Sequence, residues 1–195
     1  MTYTIARYPV HLIDVVRLTD GRRVTIRPTL PQDVELQRTF FRSLSAESRY
    51  RRFMTRLSEL PESLAKRFTS IDYRAHVALL AEVFDEAGRE TMIGEARYVV
   101  DDHDPTTCEF AIAVADAWQS SGIARALLER LERQAAASGV RRMVADTLIT
   151  NRSMQRLAAR AGYAVSASRE DATQARLEKV LSGAADAPSI RSLAA

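Results

Sequence analysis

Between residues 108 and 131 the hydrophobic repeat of the chain changes from two to nearly four. Residues 108–114 alternate as a half-buried strand does, and residues 121–137 stack Ile123, Leu127, Leu131 and Ala135 at four-residue spacing, as an amphipathic helix does. Gln119-Ser120-Ser121-Gly122-Ile123-Ala124 joins the two. Small residues at Gly122 and Ala124 let a ligand approach the main chain. The N–H groups of a first helical turn lack partners and stand at the positive dipole end, so the joint has the makings of an anion site. A dipole contributes only about 0.3–1 kcal/mol, so firm binding of a diphosphate there needs several converging N–H groups and a cation such as Arg125. The ordinary alternative is a plain strand–turn–helix with Ser120 or Ser121 as N-cap. Neither the GxGxxG nor the Gly-Lys-Ser/Thr phosphate loop is present.

Around this unit the chain predicts a mixed α+β order. Residues 10–18 and 22–27 are β-rich and flank Thr19-Asp20-Gly21, a hairpin turn, and Pro28 ends the second strand. Pro31 and Asp33 begin a helix continued by Val34, Gln37, Phe40, Phe41 and Leu44. Further helical pieces cover residues 45–54 and 61–68. Strands follow at residues 76–84, 92–100 and 108–114, then the helix 121–137, a strand at 140–149, and a helix capped by Asn151 and stopped at Gly162. Residues 164–168 suit another strand. Over residues 171–181 the spacing of Leu177, Val180 and Leu181 suits a helix, while alternation is imperfect. Residues 182–195, small and polar, predict a frayed tail.

Composition narrows the class. A chain of 195 residues with 46% hydrophobic and 27% charged residues supports one domain with a real core. Charged residues interrupt every apolar stretch before about 18 positions, so no membrane span is expected. His11 and Asp14 interrupt the only candidate leader segment, and no signal peptide is expected. The single cysteine, Cys108, leaves no disulfide framework or cysteine-rich zinc site. These features predict a cytoplasmic protein. A net charge of +3 argues against nucleic acid as the main partner. Lys66 and Lys179 are the only lysines beside many arginines, a bias that identifies no site.

The pattern Gln119-x-x-Gly122-x-Ala124 after a short strand resembles the acyl-CoA diphosphate loop of the GNAT superfamily of N-acyltransferases. Residues 44–53 (Leu-Ser-Ala-Glu-Ser-Arg-Tyr-Arg-Arg-Phe), Ile71-Asp72-Tyr73 and residues 109–114 (Glu-Phe-Ala-Ile-Ala-Val) resemble the acetyltransferase domain of bacterial Pat-like protein-lysine acetyltransferases. The likeness covers residues 24–181. It implies a GNAT fold: a twisted, mixed, mostly antiparallel sheet flanked by helices and splayed at the central strands near Val114. It divides the chain into an N-terminal hairpin extension (1–23), the acetyltransferase domain (24–181) and the tail (182–195), and it turns residues 174–181 into a strand.

The resemblance also implies roles. Backbone of Ile112, Ala113 and Val114 would pair with pantetheine, and Gln119, Ser120, Ser121, Gly122, Ile123, Ala124 and Arg125 would hold the diphosphate. Asn151 would reach the pantetheine arm, a role compatible with helix capping. Tyr50, with the arginines Arg49, Arg51, Arg52 and Arg56, would line the acceptor side, although the helical spacing of those arginines suits a solvated face. Acetyl-CoA is the implied co-substrate, with a protein lysine or a small amine as acceptor and no metal.

Glu109 is the candidate general base. Alternation places it with Ala111 and Ala113 on one strand face, with core residues opposite. A lysine ammonium, of pKa about 10.4, cannot attack a thioester until it loses a proton. A carboxylate in a partly desolvated cleft can take that proton. A backbone N–H near Ala113 or Val114 would steady the developing oxyanion. Cys108, a lone cysteine at the start of a strand, suits packing rather than an acyl-cysteine route. Many GNAT enzymes carry a tyrosine seven residues after the asparagine as general acid; here Ala158 stands there, and Tyr163 suits the core. The Asp101-Asp102-His103-Asp104 run suits a solvated turn. A small-molecule or peptide N-terminal acetyltransferase, and a CoA-sensing module without turnover, are the alternatives.

Overall fold

The computed structural model describes residues 8–18 and 21–181. The predicted tail and part of the first hairpin turn lie outside the described residues. Eight strands form one sheet: β1 (Asp14–Arg17), β2 (Arg23–Pro28), β3 (His76–Phe84), β4 (Glu90–Val100), β5 (Thr107–Val114), β6 (Arg142–Leu148), β7 (Ala164–Ala167) and β8 (Gln174–Val180). Their spatial order is β1-β2-β3-β4-β5-β6-β8-β7. Every neighbouring pair is antiparallel except β5 and β6. The helices are α1 (Val34–Ser43), α2 (Ala46–Phe53), α3 (Glu62–Thr69), α4 (Ile123–Ala137) and α5 (Arg152–Arg160).

One face of the sheet carries the main core. Along α4 the apolar stripe Ile123, Leu127, Leu128, Leu131 and Ala135 is buried against Leu79, Ala96, Tyr98, Cys108 and Phe110. Each of the large aliphatic side chains contributes about 1.5–3 kcal/mol by leaving water. Gly94 on β4 lets this helix sit close. A Cβ there would meet Ile123 Cγ2 at 3.3 Å, and the Ala113 carbonyl oxygen and Leu127 Cδ1 at 3.4 Å. Two smaller clusters cover the opposite face: Phe40, Leu44, Leu80, Met92 and Ala115, and Phe41, Leu60, Ala65 and Phe68.

Three parts of the architecture differ from the sequence-based expectation. Residues 10–12 form one turn of 3-10 helix, because Leu12 and Ile13 donate to the Pro9 and Val10 carbonyls at 2.9 and 3.0 Å. The helix starting near Ser121 begins at Ile123 with Gly122 as N-cap. Arg49 and Arg52 are not part of a solvated face. Arg52 reaches Glu95, buried on β4, at 3.2 Å, and Arg49 donates to the Ser58 carbonyl and lies over the Phe41 ring. By contrast, residues 174–180 are the strand that the family likeness implied, pairing with β6 over its whole length.

Candidate active site

A gap opens in the middle of the sheet. β5 and β6 pair only at Thr107, Cys108 and Glu109, opposite Arg142, Met143 and Val144. Beyond that point each strand follows its other neighbour: β5 stays with β4 as far as Val114, and β6 stays with β8 as far as Leu148. The carboxyl ends of two parallel strands therefore diverge, the position at which open mixed sheets bind ligands. Ala115 N–H donates to Ile93 O on β4 at 2.9 Å. Alternation along an antiparallel ladder then turns the main-chain groups of Ile112 and Val114 away from β4 and toward the gap. Those of Ala113 point to Glu95 on β4 instead, so of the three residues expected to offer backbone to pantetheine, Ala113 does not.

The loop after β5 leads to the start of α4 beside this gap. Residues 116–118 make one 3-10 turn, and Ser120 and Gly122 adopt left-handed φ of 61° and 94°. This reversal aims the first turn of α4 back at the strand ends. Among the described residues no side chain caps that turn, which leaves its N–H groups open. Ser121, an expected alternative cap, bonds backward to the Trp118 carbonyl at 2.5 Å. The side chain of Ile123 is buried in the core, so only its N–H faces the joint. Ala124 is half-buried. Arg125 is exposed and pairs with Glu129 at 2.7 Å. Gln119 donates through its amide to Ser48 Oγ at 3.2 Å and to the Val114 carbonyl at 3.4 Å.

Across the gap, Asn151 caps α5. Its Oδ1 accepts from Met154 N and Ser153 Oγ, and its Nδ2 donates to Thr147 Oγ1 at 3.1 Å. One amide hydrogen remains beyond these bonds.

Above the gap lies α2, which packs against both diverging strands, β5 and β6. Tyr50 is exposed on this helix. Glu109, Ala111 and Ala113 point to this face, with Val99, Arg97 and Glu95 beside them on β4. Glu109 is exposed rather than partly desolvated as expected, because nothing larger than Val99 and Val144 stands directly beside it. Its carboxylate makes no hydrogen bond or ion pair among the described residues.

Glu95 is the opposite case. It is buried, with Arg97 at 2.5 Å and Arg52 at 3.2 Å, and Arg97 stacks 3.7 Å above the Phe68 ring. Burial works against its ionisation, but the two guanidinium groups outweigh it and hold the carboxyl below its ordinary pKa. A carboxylate held ionised in this way is a structural anchor and a poor proton acceptor.

Residues 38–163 match the Acetyltransferase (GNAT) family. The chain is also 32% identical over 160 residues to Acetyltransferase PA5475 of Pseudomonas aeruginosa, spanning 82% of this chain and 85% of that protein. The chain belongs to the GNAT acetyltransferase family. Acetyltransferase Pat of Mycolicibacterium smegmatis is 31% identical over 147 residues, which span 75% of this chain and 43% of Pat. Among solved structures, the GNAT domain of S. lividans PAT superposes with a TM-score of 0.82 at 33% identity, covering 90% of this chain and 100% of that domain. As a GNAT enzyme the chain is an acetyl-CoA-dependent N-acetyltransferase, and its open sheet is the GNAT fold.

The GNAT frame clarifies the remaining candidates. Ala158, at the position where many members carry an acidic tyrosine, is fully buried in the main core. Tyr163 is buried too, with its hydroxyl 3.8 Å from Met143 Sδ and its pKa raised, chiefly by desolvation. Neither faces the gap. Burial pushes the Cys108 thiol up to about 12, so it holds no thiolate at neutral pH. The carboxylates of Asp101 and Asp104 cap their own turn, accepting from His103 N at 2.7 Å and from the Thr106 and Thr107 hydroxyls at 2.6 Å. Among the described residues no helix is long and apolar enough to cross a membrane.

Sequence reasoning passed over Glu95 and Arg97. Glu95 and Arg97 stand two apart on a strand, an opposite-charge pair on one face, which was the available signal.

Proposed function

We propose that the enzyme moves acetyl from acetyl-CoA to the ε-amine of a protein lysine by direct attack, with both substrates bound and Glu109 as general base. The observation that carries this reading is the contrast between two carboxylates on one face. Glu95 is locked between guanidinium groups, while Glu109, at the point where β5 and β6 part, is exposed and unpaired among the described residues. The choice of lysine rests on the similarity to Pat proteins, including the ordered likeness over residues 44–53 and 109–114.

The open amides from Gly122 to Arg125, together with Gln119, Ser120, Ser121 and the Arg125 guanidinium, suit a diphosphate at the start of α4. Ile112 and Val114 turn main-chain groups into the gap, where an extended amide-bearing arm such as pantetheine can pair as a strand would. The spare amide hydrogen of Asn151 faces the same arm in this reading. The coenzyme supplies a thioester whose carbonyl carbon is open to attack and whose thiolate departs without a dedicated acid, consistent with Ala158. Glu109 takes the proton of the ammonium, directly or through a water. The Val114 N–H faces the gap and is the donor for oxygen charge that develops during attack. Fixing both reactants on one rigid sheet supplies up to about 7–11 kcal/mol of the barrier reduction. Tyr50, exposed on α2, lines the acceptor side.

The test is a turnover screen with acetyl-CoA against acyl-CoA synthetases and other folded proteins, a peptide with a free N-terminus but no lysine, and spermidine. Acetylation confined to lysine side chains supports the reading. Turnover on spermidine or the peptide N-terminus alone overturns the choice of acceptor.

A further inference from the structure

Asp116 has no part in the reading above, yet it joins the two halves of the site. It lies in the 3-10 turn between β5 and the anion loop. Its Oδ2 accepts from Ser45 N at 2.9 Å, and its Oδ1 accepts from Ser45 Oγ and Ser48 Oγ, both at 2.8 Å. Ser45 is the N-cap of α2, and Ser48 lies in its first turn. Ser48 Oγ in turn accepts from the Gln119 amide, which also donates to the Val114 carbonyl. One polar chain therefore runs from the end of β5, through the first residue of the anion loop, to the start of α2. At its other end α2 is held by Arg52 on the buried Glu95.

These contacts set how α2 can respond to the coenzyme. The Glu95 anchor belongs to β4, inside the sheet, and does not depend on what fills the gap. The Asp116 anchor belongs to the segment that becomes the anion loop. Burial opposes the charge on Asp116, but the hydrogen bonds from Ser45 and Ser48 outweigh it and lower its pKa, so the carboxylate is ionised and its hydrogen bonds are charge-assisted. Whatever orders Gln119 and its loop therefore orders the N-terminus of α2, the helix that bridges β5 and β6 and carries Tyr50.

We propose that Asp116 is a positioning residue that couples coenzyme binding to the placement of the acceptor helix α2. The proposal rests on the reading that residues 119–125 hold the coenzyme diphosphate. It makes acceptor binding stronger once acetyl-CoA is in place, and by reciprocity makes acetyl-CoA bind more firmly when the acceptor is bound.

Hydrogen exchange of backbone amides, read with and without saturating acetyl-CoA, tests it in the intact chain. In the unsubstituted protein, acetyl-CoA slows exchange over residues 119–126 and, at least about threefold, over residues 49–53 of α2. In Asp116→Ala the response over residues 119–126 persists while that over residues 49–53 is lost; in Ser48→Ala, which keeps both Ser45 bonds to Asp116, the response over residues 49–53 is weakened. Ser48→Ala places a good helix former in a short helix and keeps the Ser45 cap, so it guards against misfolding of the first variant. Kinetics provide a second readout: the acceptor KM for a lysine peptide rises about tenfold in Asp116→Ala, with kcat at saturation changed less than threefold. An unaltered α2 response in both variants, or no α2 response in the unsubstituted protein, overturns the coupling. Absence of any response over residues 119–126 instead overturns the coenzyme reading on which it rests.

Discussion

Three side chains show how the same group changes character with its surroundings. His76 begins β3 with Nε2 buried and unpaired. Desolvation, reinforced by Arg97 and Arg67 against the pull of Asp72 and Glu95, lowers its pKa from 6.5 to about 4. Between those values the unfolded chain binds a proton that the folded chain does not. Its contribution to stability is therefore complete above about pH 6.5 and is lost as pH falls toward 4. Urea midpoints at about pH 7.5 and about pH 4.5 check this: the unsubstituted protein loses more of its midpoint on acidification than His76→Gln does. Cys108 gives a second prediction. With its thiol near 12 and its side chain buried, iodoacetamide leaves the folded protein unmodified, and Cys108→Ala keeps its turnover number within about twofold. Loss of turnover in that variant would reopen a covalent acyl route. Glu109 is the third side chain, an exposed carboxylate whose lack of a partner among the described residues distinguishes it from Glu95.

At the scale of elements, the close seating of α4 on β4 decides where its open amides lie. Gly94→Val would drive methyl groups into Ile123 and Leu127, already 3.3 and 3.4 Å from a bare Cβ position. The expected cost is about 1–3 kcal/mol in urea unfolding, with acetyl-CoA affinity weakened by calorimetry as the first turn of α4 is displaced. Unchanged affinity would mean that this turn does not hold the coenzyme. Elements of this kind were legible in the sequence because their period and caps are local. The spacing in α4 and the Asn151 cap of α5 stand as read, and the helical piece expected from Ser45 is α2, with Ser45 as its N-cap. Local pattern misled where tertiary contacts decide. Leu177, Val180 and Leu181 share a helical spacing, yet Val180 is 75% exposed, and the buried pair is Ala175 and Leu177, two apart on β8. Arg52 looked solvated because the sequence does not reveal that α2 folds over a buried Glu95. The gap itself arises from register: three paired positions and then divergence, which no run of residues encodes by itself.

Across the whole molecule the two faces of the sheet divide the work. The α4 face holds the large core, and the α1–α3 face carries the smaller clusters, the anchored α2 and Glu109. Because the main core is shared by α4 and six of the strands, Leu131→Ala is expected to cost about 2–5 kcal/mol in a single cooperative transition, while the folded fraction keeps its KM for acetyl-CoA. Separate transitions for the two faces would show that the halves of the site are not held by one core. The division also explains how a thioester and an amine can meet: the gap between β5 and β6 opens beside the start of α4, while α2 and Glu109 overlook it from the other face. The most direct test of this arrangement is the rate of acetyl transfer to a lysine side chain by Glu109→Gln at saturating acetyl-CoA. A fall of about 10²–10⁴-fold with the dissociation constant of acetyl-CoA unchanged is the predicted result. A rate within twofold of the unsubstituted enzyme would remove Glu109 as the base and contradict it.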